Sequence, residues 1–188
     1  HSLYIHPRLR FTPFPYPPLY FYTSAAFATL LGDGLLPLRL VSILASLGSF
    51  LLLFRIGSRE SSHPVAGLLA ASLFAATFPL SGAWFDLARV DSLFLFFVLG
   101  SVYLVRFGRS SGSAAAAAGV LALGYLTKQS ALLVAAPLAL WLLLAQRRRF
   151  LVFTSTFTTL VLGSSLLLDR LHHGWFWFYL FELPLSFP

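Results

Sequence analysis

The sequence predicts an all-α fold: a polytopic transmembrane helix bundle of about six spanning helices with one further helix lying at the interface. Three observations carry that expectation. Of 188 residues, 58% are hydrophobic and only 10% are charged, against about 25% charged in soluble domains. The mean hydropathy is +0.82. The apolar residues fall into runs separated by short basic or polar loops, the pattern of successive membrane crossings.

The elements follow in order. Pro18 to Leu31 is about 14 residues long, begins after Pro17-Pro18 and ends on the Gly-Asp-Gly turn at Gly32 to Gly34; it is too short for a crossing and reads as an aromatic helix at the outer interface. Six further runs come near spanning length: Leu36 to Ile56, Pro64 to Gly82, Ser92 to Phe107, Ala114 to Thr127, Ser130 to Ala145 and Phe150 to Leu168. Several are short, so their boundaries can move by a few residues as charged ends snorkel.

Charge sets the orientation. Seven of the thirteen basic residues, Arg55, Arg59, Arg106, Arg109 and Arg147 to Arg149, lie in loops after the first, third and fifth of these runs. They share one face if each run crosses once, and the positive-inside rule makes that face cytoplasmic. The net charge of +7 is thus a topology signal, and no nucleic-acid partner is expected. The same parity places Asp33, Asp86, Asp91, Asp169 and Glu182 outside and Glu60 inside. For Asp33 and Asp169 the plain explanation suffices, since outer loops tolerate acids.

The stretch Ala83 to Phe94, AWFDLARVDSLF, puts three charges between two apolar runs. If it is helical, Asp86 and Arg89 are three apart and pair on one face, while Asp91 is rotated away by about 140 degrees. A carboxylate in that position can cap the following helix, bind a divalent cation or orient a substrate hydroxyl. Arg89 suits a phosphate bidentately at the bilayer surface. Lys128, in the outer loop Thr127 to Ser130, either snorkels to lipid headgroups or shares a phosphate site with Arg89. His172 and His173 are adjacent and point in different directions, poor spacing for one metal; a single ligand or a phosphate contact stays open beside an interfacial belt formed with Trp175 to Tyr179.

The chain has no cysteine, hence no disulfide, thiol nucleophile or cysteine metal site. GxxxxGK[ST], HExxH and nucleophile-elbow motifs are missing, which disfavours a soluble-nucleotide enzyme. There is no methionine, even at position 1, and the opening is rich in Pro and aromatic residues. The expectation is an excerpt of a longer protein.

In order and separation, Tyr16-Pro17-Pro18-Leu19-Tyr20, Arg39-Leu40, Ala88 to Leu93, Tyr125 to Lys128 and Gly174-Trp175-Phe176 resemble the polyprenyl-phosphate-sugar glycosyltransferases of the membrane GT-C class. The nearest branches are the bacterial RgtA/B/C/D-like proteins, the protein O-mannosyltransferases and the aminoarabinose transferases. The resemblance implies an inverting transfer of a sugar from a polyprenyl-phosphate donor to a lipid, glycan or protein acceptor on the outer face of the cell (inner) membrane. Cations would meet the lipid phosphate and a carboxylate would activate the acceptor hydroxyl.

On this resemblance the chain is a partial GT-C domain: residues 1–35 end the first outer loop with its juxtamembrane helix, 36–168 carry six crossings and 169–188 form an outer aromatic loop. Tyr16, Arg89, Asp91, Lys128, His172 and His173 are then substrate-binding candidates. Asp91 is also a candidate ligand for a divalent cation, since relatives place an acidic residue near the donor phosphate or a metal. Their catalytic Asp or Glu follows the first transmembrane helix, so the base is expected upstream of His1 and the 188 residues alone are expected to be inactive. A secondary transporter and a structural subunit without chemistry are the competing classes. A transporter predicts repeated halves and broken helices with polar groups at mid-bilayer.

Overall fold

The computed structural model describes Tyr4, residues 15–80, Gly82 and residues 85–185. The segments expected around Ala83 and Trp84, and most of the first fourteen residues, lie outside the described part. Among the described residues seven α-helices of more than three residues succeed one another: α1 Leu19–Leu31, α2 Leu35–Ser61, α3 Pro64–Ala76, α4 Val90–Phe107, α5 Ser111–Thr127, α6 Ala131–Ala145 and α7 Arg147–Leu171. A short helical coda over residues 175–185 follows, with a π-helical stretch at Phe178–Glu182. No strand occurs among the described residues, so the fold is all-α, as expected.

Each of the predicted runs becomes one helix. α1 starts at Leu19, directly after the proline pair, where the Tyr22 N–H donates to the Pro18 carbonyl, and ends at Gly32 in a positive-φ conformation (81°) that glycine adopts without strain. α5 starts earlier than its alanine run because Ser110 caps it, its Oγ accepting from the Ser113 N–H at 3.0 Å. α3 is entered by Pro64 at its first position, with the His63 side chain accepting from Val65 N–H.

α2, α4 and α7, of 27, 18 and 25 residues, are long and apolar enough to cross a membrane; α3, α5 and α6 are apolar but shorter. α3 departs furthest from expectation. It stops at Ala76 instead of Gly82 and passes into a turn over residues 77–80. Pro79 lacks the N–H a continuing helix needs and disfavours helical backbone at Phe78, and Thr77 Oγ1 donates back to the Phe74 carbonyl.

α5 lies at the centre. Ala114, Ala117, Ala118, Leu121, Ala122 and Tyr125 are all buried, an i, i+3, i+4 stripe whose small members let α4 and α7 approach closely. In a bilayer this close packing and the hydrogen bonds across helices hold the bundle, because lipid is as apolar as the core. Ser101 Oγ donates to the Ala117 carbonyl at 3.0 Å, and Tyr125 Oη and Ser165 Oγ are 2.6 Å apart. α2 and α3 meet through glycine: a Cβ on Gly57 would lie 2.8 Å from the Ala66 carbonyl oxygen. Large leucines such as Leu51, Leu73, Leu133, Leu144 and Leu166 are exposed on the outside of the bundle, as lipid-facing side chains are.

The loop charges separate to the two ends of the bundle. At one end Glu60 pairs with Arg106 (2.6 Å), Arg59 donates to Tyr103 Oη at 2.8 Å, and Arg149 donates to the Val105 carbonyl at 2.9 Å. The opposite end gathers Arg39, Asp86, Arg89, Asp91 and Lys128.

Candidate functional site

The site is built at the second of these ends, where the start of α4 lies beside the end of α5. Lys128 ends α5 in an extended conformation (φ −153°, ψ 127°), its own N–H donating to the Gly124 carbonyl. Asp91 is in the first turn of α4. Each charge sits at the helix end whose dipole favours it, an acid at an N-terminus and a cation at a C-terminus. Antiparallel packing of α4 and α5 then brings them together: Lys128 Nζ donates to Asp91 Oδ1 at 2.8 Å.

Arg89 takes the other carboxylate oxygen, Nε to Oδ2 at 3.1 Å. The expected pairing of Asp86 with Arg89 is not formed. Residues 86–89 are bends and α4 begins only at Val90, with Arg89 extended at its N-cap (φ −134°, ψ 152°), so the i, i+3 geometry of a helix is absent. Asp86 pairs with Arg39 of α2 instead. Nor is Asp91 left unpaired, as a continuous helix would have left it. It bridges two cations, and its side chain is only 11% exposed while Lys128 is 27% and Arg89 45% exposed.

α2 holds the loop that carries Arg89. Arg39 Nε donates to the Asp86 carbonyl at 3.1 Å, Ser42 Oγ to the Arg89 carbonyl at 3.2 Å and Ser46 Oγ to the Phe85 carbonyl at 2.7 Å. Positions 39, 42 and 46 share one helix face, so one polar stripe satisfies three carbonyls of a segment that has no secondary structure of its own. Below it Phe85 packs on Phe50 and stacks on Phe74 at 4.7 Å. These positioning residues were not singled out from the sequence as such. The signal was there: an Arg and serines at helical spacing on an otherwise apolar helix.

Tyr16 joins the cluster. A cavity of about 120 Å³ is lined by Tyr16, Tyr20, Phe21, Arg89 and Asp91, with Ala88 and Val90, and Lys128 Nζ lies 6.0 Å from the centres of the Tyr16 and Phe94 rings, at the edge of cation–π range. Tyr20 is anchored beneath it, donating to the Leu38 carbonyl at 2.9 Å and lying 3.2 Å from Ser42 Oγ; burial raises its phenol pKa. Gln129 Nε2 donates to the Pro15 carbonyl at 3.1 Å, tying the segment before α1 to the turn between α5 and α6.

The histidines diverge, as their adjacency predicts. His172 is buried, with its ring edge-on to Tyr4 at 4.9 Å, and its Nδ1 has no hydrogen-bond partner among the described residues. Burial, followed by the neighbouring His173, lowers its pKa. His173 is exposed, in a left-handed conformation (φ 54°). Among the described residues Tyr4 links His172 to the cation cluster, its hydroxyl donating to the Tyr16 carbonyl.

Among the described residues no three His, Cys, Asp or Glu side chains converge as a metal site, and both Asp91 oxygens are occupied by cations. As placed, the Asp91 carboxylate serves these two cations. What the arrangement offers is two cations held by one carboxylate, beside an aromatic wall, at the end of a helix bundle. Guanidinium and ammonium groups set side by side are the chemistry that suits an anion.

No curated protein and no solved structure matches the chain. A family model described as dolichyl-phosphate-mannose-protein mannosyltransferase matches residues 15–171, a span that holds Tyr16, the α2 stripe, Arg89, Asp91 and Lys128. With an all-α bundle of apolar helices over the same span, the chain belongs to this family of multi-pass membrane glycosyltransferases of the GT-C type.

Proposed function

We propose that this protein transfers a sugar from a polyprenyl-phosphate donor to an acceptor at the outer face of the membrane, and that Arg89 and Lys128 receive the donor's phosphate. The observation that supports it most is the junction of Lys128, Asp91 and Arg89 across α4 and α5 (2.8 and 3.1 Å). A glycosyl monophosphate leaves as a more highly charged lipid phosphate. Cations aimed where that charge develops stabilise the transition state more than the ground state.

In this reading Asp91 is a positioning residue. It keeps two like charges side by side while the site is empty, and a phosphate draws them as its charge grows. Arg89 supplies a planar fork for two phosphate oxygens, and Lys128 supplies a point charge. Tyr16 forms the wall that the lipid's first isoprene units or the sugar would meet. Arg89 and Lys128 bind the leaving group, with Asp91 and Tyr16 placed around them; proton removal from the acceptor is not assigned to these four. The acceptor is a lipid, glycan or protein hydroxyl, and the membrane is the cell (inner) membrane, oriented by the arginine-rich loops.

The test is donor binding by the full-length protein in detergent micelles, using a polyprenyl monophosphate and the corresponding polyprenol. The phosphate should strengthen binding to the wild type by tenfold or more, and Arg89→Ala with Lys128→Ala should remove that advantage. Equal binding of phosphate and alcohol by the wild type would refute the assignment.

A further inference from the structure

The opposite end of the bundle carries a second, larger concavity that the glycosyl-transfer site does not use. Its volume is about 610 Å³, and it is lined by Arg59, Arg106, Phe107, Arg109 and Ser110. Adjoining it is an apolar groove of about 350 Å³ between α2, α4 and α6, lined by Ile56, Val102, Val105, Leu138 and Trp141 among others. Arg106 lines both, so a charged chamber and a greasy channel meet at one side chain.

The charges are not evenly spent. Glu60 pairs with Arg106 through both carboxylate oxygens and neutralises it. Arg59 lies over the Phe107 ring at 4.5 Å and donates to Tyr103 Oη, which fixes its guanidinium without cancelling its charge. Arg109 makes no ion pair among the described residues. Ser110 caps α5, so the positive end of that helix dipole adds to the field at the rim.

We propose that this paired chamber and groove hold one anionic phospholipid of the leaflet opposite the transfer site: its phosphate meets Arg59 and Arg109, and an acyl chain lies along the groove. A soluble phosphate has no use for an apolar channel continuous with the cation chamber, and a zwitterionic lipid brings no net charge to match two unneutralised arginines. Basic pockets between transmembrane helices bind anionic headgroups by this combination. The alternative, that the arginines only orient the chain in the membrane, requires net charge but no geometry.

The experiment separates these. The full-length protein is purified in detergent and titrated with phosphatidylglycerol, phosphatidylcholine or glycerol phosphate, with bound lipid counted by native mass spectrometry. One phosphatidylglycerol should be retained per protein, in preference to phosphatidylcholine, and glycerol phosphate should not displace it. Arg109→Glu should cut retention fivefold or more, whereas Arg147→Glu, the same charge change outside the chamber, should leave it nearly unchanged. Val102→Phe, which fills the groove and leaves every charge in place, should also weaken retention. Equal losses for Arg109→Glu and Arg147→Glu would reduce the effect to general electrostatics and overturn the site. Displacement by glycerol phosphate alone would make it a free-anion site and overturn the lipid. Sugar transfer serves as the fold control, since neither Arg109 nor Arg147 belongs to the transfer site.

Discussion

Lys128, the residue on which α5 ends, reaches Asp91 in the first turn of α4 at 2.8 Å, and this contact joins two helix ends whose dipoles already favour those charges. With Asp91 mostly buried and Lys128 about a quarter exposed, the pair lies between the surface and interior regimes. A double-mutant cycle over Asp91→Asn and Lys128→Met should give a coupling of about 1–2 kcal/mol, above the usual surface value of at most about 1 kcal/mol. Unfolding of the four proteins in detergent measures it. Simple additivity would mean the contact is not formed.

Arg39 and Asp86 are both substantially exposed, so their ion pair alone should contribute under ~1 kcal/mol. The backbone anchor is the larger effect. Arg39→Ala removes the donor to the Asp86 carbonyl and loosens the segment that carries Arg89. The expected outcome is a severalfold loss of donor affinity with the melting temperature lowered by only a few degrees. Steady-state transfer at varied donor concentration should show the loss in KM. Asp86→Asn, which leaves the Arg39 contact to the carbonyl in place, should be milder.

Gly67 faces α2 so closely that a Cβ there would meet the Phe54 carbonyl and the Ser58 hydroxyl. Gly67→Val should therefore push α3 away from α2 and cost ~2 kcal/mol or more, the range for forced overpacking. The yield of folded protein and its thermal midpoint in detergent report this directly.

His172 gives the pH dependence a sign. Burial, the main cause, and then His173 lower its pKa below the ordinary 6.5, so the unfolded chain takes up a proton before the folded one does. Its contribution to stability is intact above pH 6.5 and is lost as pH falls from there through the folded-state pKa. Melting midpoints across pH 5–8 should fall on the acid side in the wild type. His172→Gln should flatten that part of the curve.

Much of this fold is legible in the residues. Each of the apolar runs became a helix, because a run of Leu, Ala, Val and Phe bounded by prolines, glycines or arginines leaves the backbone few other ways to satisfy its hydrogen bonds in lipid. The basic loops predicted two polar ends, and Glu60 with Arg106 and Arg149 with Val105 lie together at one of them. What could not be read was the path of residues 77–89. Pro79 breaks the run that the sequence reading carries on to Gly82, and the choice of Arg39 over Arg89 as Asp86's partner depends on α2 lying alongside that loop, a long-range contact that local spacing does not encode. The same holds for Asp91. Helix spacing turned it away from Arg89, and only an N-cap with extended backbone turns Arg89 back onto it.

The most direct test is sugar transfer from a polyprenyl-phosphate-linked donor by the reconstituted full-length protein and its Arg89→Ala and Lys128→Ala variants, each shown to be folded by its melting transition. Loss of transfer by tenfold or more in each variant, about 1.4 kcal/mol of lost transition-state stabilisation for every factor of ten, is the predicted result. Wild-type rates from both folded variants would contradict the assignment of these two cations to the donor phosphate.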